Sequence, residues 1–77
     1  MEDSIIPRIQ NAIEAERTKL QRLNIERNEV LNILYQARYV NASDIHRIEA
    51  QYAEKIENTS ASIKAMEEHV QELIDDA

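Results

Sequence analysis

The sequence predicts an all-α fold: an antiparallel two-helix hairpin with a coiled-coil-like seam, assembling into a four-helix bundle dimer or with a partner helix. Three observations carry this expectation. The 77 residues contain no glycine and one proline, Pro7, so nothing beyond the first turn breaks a helix. Apolar residues recur in alternating steps of three and four in both halves of the chain. The two apolar series are equally long, and helix-capping residues stand between them.

Taken in order, Asp3 and Ser4 are cap candidates, and Pro7 falls in the first turn, where a missing N–H costs little. A first helix from about residue 5 to 38 then places Ile6, Ile9, Ile13, Leu20, Leu23, Val30, Leu34 and Ala37 on one seam, with Glu16 and Arg27 in the two gaps. A turn is expected at about 39–42. There Asn41 or Ser43 can cap the next helix, Asp44 can act as a capping-box partner, and Val40 and Ile45 are placed to form a hydrophobic staple. Without glycine, the first helix must end on a non-glycine residue, either Asn41 in a left-handed conformation or a loose last turn near Arg38 and Tyr39. The second helix, about 42–75, carries Ile45, Ile48, Tyr52, Ile56, Thr59, Ile63, Met66, Val70 and Leu73. Two successive steps of four around Tyr52 insert a stutter.

Facing residues of an antiparallel pair have position numbers with a constant sum. Leu34 with Ile45, Leu23 with Ile56, Leu20 with Thr59, Ile13 with Met66 and Ile9 with Val70 each give 79, and this register centres the turn on residues 39 and 40. It sets Arg27 against Tyr52, a cation–π or stem-on-ring contact. It also brings Glu16 within reach of Lys19 or Lys64, and Arg22 opposite Glu57.

Seventy-seven residues make a single helical-hairpin domain, 1–77. The starting methionine and a heptad series that ends near Leu73 argue against the expectation of a structural coiled-coil segment cut from a longer protein. Fifteen acidic against nine basic residues give a net charge of −6, which argues against nucleic acid or an anionic membrane as partner. The acidic start and the absence of any long apolar run argue against a signal peptide and a membrane span, so the expected location is cytoplasmic. Asn41-Ala-Ser43 and Asn58-Thr-Ser60 match the glycosylation pattern, which matters only for a secreted chain.

Catalytic chemistry finds no foothold. With no cysteine there is neither a disulfide nor a thiol nucleophile, and without glycine no phosphate-cradling loop of the usual kind. His46 and His69 lie about 35 Å apart along the hairpin at 1.5 Å per residue. His46-Arg-Ile-Glu49 has helical spacing for two metal ligands, but Ser43 and Met66 stand where a di-iron bundle needs further glutamates. The expectation is a non-enzymatic chain with no cofactor and no metal.

A lone hairpin buries one stripe per helix, which leaves apolar residues off the seam. The denser cluster lies near the turn: Ile25, Leu31, Ile33, Tyr35, Tyr39 and Val40, with Ile5 and Ile74 at the open end. Two of the three tyrosines belong to it, a residue type enriched at interface hot spots. These six are the candidate partner-binding residues, for a protein partner or for a second copy in a homodimer. In size, helix count and the short polar turn Tyr39-Val-Asn-Ala-Ser-Asp44, the chain resembles small helical-hairpin proteins that work by association: plasmid copy-control proteins of the Rop type and the co-chaperones that hold needle subunits in type III secretion. That resemblance implies an adaptor or co-chaperone. The acidic balance argues against the RNA binding that the first group would bring. The alternative is an acidic inhibitor, in which Glu67, Glu68, Asp75 and Asp76 mimic phosphates and block a basic site on a target.

Overall fold

A computed structural model describes residues 5–38 and 40–76. They form two α-helices, α1 (Ile5–Gln36) and α2 (Ala42–Asp75), packed against each other as a hairpin. At 1.5 Å per residue the helices are about 48 and 51 Å long. The cap candidates Asp3 and Ser4 lie outside the described residues. Pro7 is the third residue of α1, inside the turn whose N–H groups have no helical partner.

The turn is built by a cap and not by a left-handed residue. Asn41 is extended (φ −91°, ψ 166°), and its side-chain Oδ1 accepts the Asp44 N–H at 2.9 Å, while its carbonyl accepts the Ile45 N–H at 3.2 Å. Among the described residues no backbone has positive φ, so the left-handed alternative for Asn41 is overturned. The expected capping box is only half made: among the described residues no bond runs from the Asn41 N–H to the Asp44 carboxylate, which instead pairs with Arg47 Nη2 at 3.5 Å. Val40 and Ile45 are both half-buried, as a staple requires.

The first helix ends at Gln36, two residues before the expected 38. The Ala37 N–H turns back to the Leu34 carbonyl at 3.2 Å, a tightened last turn that satisfies one terminal carbonyl. Ala37, expected on the seam, therefore lies past the helix and is exposed. The chain needs those residues to swing from helical to extended backbone before Asn41.

Along the seam every other expected position is buried or half-buried. Burial is uneven, however. The fully buried residues among those described are Ile13, Thr59, Ile63 and Val70, with Ile6, Ile9, Leu20 and Met66 packed around the apolar three. All lie in the half nearer the open end. Thr59, 4% exposed, satisfies its hydroxyl by donating to its own Lys55 carbonyl at 2.8 Å.

Between Gln21 and Asn58, by contrast, no described residue is fully buried, although Leu23, Val30, Leu34, Ile45, Ile48 and Ile56 all point into the seam. Arg27 and Tyr52 provide the physical reason. Both occupy seam positions, and both have polar tips that must reach water or a partner. The Tyr52 hydroxyl donates to Glu26 Oε1 across the helices at 2.8 Å. The cation over the Tyr52 ring is Lys55, one turn further along α2 at 5.5 Å, and not Arg27, whose Nη2 reaches Asn28 Oδ1 at 3.4 Å. Lys55, three residues further along the same helix, is set over the ring by helix geometry alone. Likewise, the cross-helix ion pair found among the described residues joins Arg17 and Glu67 at 3.5 Å, not the expected Glu16–Lys64 or Arg22–Glu57.

Candidate functional site

Of the six residues expected to bind a partner, the five that the structure describes do not share one face. Ile33 and Tyr35 are each 66% exposed and Ile25 59%, whereas Leu31 and Val40 are half-buried; Tyr39 lies outside the described residues. A helix turns about 100° per residue, so Ile33 and Tyr35 stand on opposite flanks of the hairpin, with Ile25 on the back of α1 between those directions. What the fold brings together is Leu31 and Tyr35. They share one flank with the first turns of α2.

On that flank an open groove runs between the helices, lined by Asn28 and Leu31 of α1 and by His46, Glu49, Ala50 and Ala53 of α2. Two alanines on α2 leave room that larger side chains would fill. At its turn-side rim the Tyr35 hydroxyl donates to Glu49 Oε1 at 3.1 Å. Tyr35 thus makes one polar contact across the helices while most of its ring remains uncovered, a stiff amphipathic side chain held at the edge of a groove.

The two tyrosine–glutamate pairs have the same electrostatic consequence. The hydrogen bond to Glu49, reinforced by that carboxylate's charge, raises the Tyr35 phenol above its ordinary value of 10.0. The hydrogen bond to Glu26 does the same for Tyr52. In both, the bond favours the neutral phenol, because a phenolate could not donate it and would face a like charge.

The sequence pattern points to Glu49 only as a helical metal-ligand partner of His46, not as the acceptor for Tyr35, and does not point to Glu26. Glu26 was within its reach: its number and that of Tyr52 sum to 78, one off the seam register. Glu49 with Tyr35 sums to 84, as does Arg17 with Glu67, because flanking side chains lean along the axis and meet beyond the seam layers. No seam pattern identifies such pairs.

His46 and Glu49, spaced as helical ligands, both line the groove, but Glu49 is engaged by Tyr35. Among the described residues no three His, Asp, Glu or Cys side chains cluster in a way that could hold a metal ion. No helix among them is long and apolar enough to cross a membrane. Comparison with protein-family models, with curated proteins and with solved structures gives no match.

Proposed function

We propose that the chain is a non-enzymatic protein–protein interaction module, a small acidic cytoplasmic adaptor or co-chaperone. Its binding surface is the turn-proximal half of the hairpin, which takes a helix of a partner or a second copy of the chain. One observation carries this reading: the half richest in unpaired apolar side chains buries none of its described residues completely, while the other half closes a small core. Half-buried leucine and isoleucine side chains forgo part of the roughly 1.5–3 kcal/mol each that full burial contributes. A docked helix recovers it. Tyr35 beside an alanine-lined groove supplies the kind of anchor and hole that helix-in-groove recognition uses.

Light scattering together with binding of an apolar dye such as ANS tests the reading on the isolated chain. A dimer, or a monomer that binds the dye until Tyr35→Ala and Leu31→Ala remove the site, supports it. A strict monomer at high micromolar concentration that binds no dye refutes it.

A further inference from the structure

We propose that the partner is a second copy of this chain, docked antiparallel over the full length of the hairpin on the flank that carries Leu31 and Tyr35, so that the turn end of each copy covers the open end of the other. The proposal rests on the interaction reading above and names its partner and geometry.

Surface area is the first argument. The hairpin exposes 6155 Å², roughly 1,300 Å² more than the about 4,850 Å² expected of a compact 9.0 kDa monomer. Its radius of gyration is 17.6 Å, against about 11.5 Å for a compact chain of 77 residues. The molecule measures 59 × 16 × 12 Å, so one broad face offers a footprint of roughly 900 Å², in line with the ~800 Å² that each partner buries in a standard interface. Overlap of the turn halves alone would supply about half of that, below what a stable interface needs.

Charge decides the direction. Residues 21–58 hold five basic and six acidic side chains, a net of −1, while the rest of the chain holds four and nine, a net of −5. Parallel stacking would set one −5 half on the other. Antiparallel stacking sets each −5 half on a nearly neutral half that carries five of the nine cations.

The flank itself is self-complementary. A second groove lies on it nearer the open end, lined by Gln10, Ile13 and Val70, with the Arg17–Glu67 pair at its rim. Gln10, Arg17 and Leu31 are separated by multiples of seven residues, so both grooves open on the same side of α1. Turning one copy end for end about mid-hairpin, near residue 22, brings its Leu31 to the level of Ile13 in the other and its Tyr35 to the level of Ile9 and Gln10. The exposed Ile74 arrives beside the other copy's turn at Val40. At the axis α1 presents the uncharged amide of Gln21, while on α2 the exposed Glu57, one heptad beyond the groove-lining Ala50, meets its own image, a like-charge contact that the rest of the interface has to offset.

Introduced thiols test the geometry in a chain that has no cysteine of its own. Gln21 is exposed, lies near the proposed axis and meets its own image across it; Arg22, also exposed, points about 100° away. We expect a dimeric mass by sedimentation equilibrium. Gln21→Cys should be joined to a covalent dimer by a short thiol-to-thiol linker roughly tenfold or more faster than Arg22→Cys, because proximity in the complex raises the effective concentration. Tyr35→Asp should shift the mass to monomer while helicity persists. A dimer in which the two cysteine variants react alike overturns the geometry. A monomer that binds the apolar dye overturns self-pairing and leaves the interaction reading standing, whereas a monomer that binds none removes both.

Discussion

Asn41 performs the task that glycine performs in many helical hairpins, and by a different route. A glycine ends the incoming helix in the left-handed region; Asn41 instead starts the outgoing one, with extended backbone and a side-chain oxygen on the Asp44 amide. Replacing it with alanine should cost about 1 kcal/mol and lower the melting temperature by about 4–8 °C. Ser43→Ala, at the competing cap position now inside α2, should leave the melting temperature nearly unchanged. Thermal melts followed by circular dichroism check both. The phenols of Tyr35 and Tyr52 give a second residue-scale expectation. Their folded-state values are raised, so the unfolded chain releases these protons first. Their contribution to stability is complete below the ordinary phenol value of about 10 and is lost as pH rises through the folded values. Denaturant midpoints should fall above about pH 10, and less steeply in Tyr35→Phe with Tyr52→Phe. The cap could be read from the sequence because a side chain that satisfies an amide three residues away is a local event. The Tyr35–Glu49 bond spans 14 positions and two elements, and no local pattern signals it.

At the scale of the helices, the heptad series made the seam legible, because burial of one stripe is the main term holding two amphipathic helices together. The degree of burial along it was not legible. Arg27 and Tyr52 interrupt the seam in the turn half, where the α2 stutter also falls, and hold its neighbours half-exposed, while Ile13, Ile63 and Val70 close the other half around Thr59. The asymmetry predicts unequal costs for like truncations. Ile13→Ala, at a site 6% exposed, should cost about 3 kcal/mol, and Leu23→Ala, at a half-buried site, about 1–2 kcal/mol. Equal losses in urea titrations would contradict the division of the hairpin into a closed and an incomplete half. The early end of α1 at Gln36 belongs to the same scale. Heptad spacing alone extended the helix to residue 38, but the backbone has to leave helical geometry before Asn41 can be extended.

At the scale of the whole molecule, two properties coincide along the 59 Å axis. The open-end half carries the small core and most of the negative charge; the turn half is nearly neutral and incompletely packed. Composition hinted at this, since the off-seam apolar residues cluster near the turn, but residue spacing along the chain does not show that Ile33 and Tyr35 face opposite ways until the helix phase relative to the seam is worked through. The proposed association covers the flank with Leu31, Tyr35 and the alanine-lined groove; the opposite flank carries Ile33 and an apolar groove lined by Ile9, Ala12, Ala65 and Met66. The most direct test is amide hydrogen exchange on the isolated chain, dilute enough to be a single hairpin. The account predicts stronger protection around residues 10–20 and 59–70 than around 24–34 and 45–56, with the second set gaining protection as association sets in. Uniform protection, or protection greatest beside the turn, would contradict it.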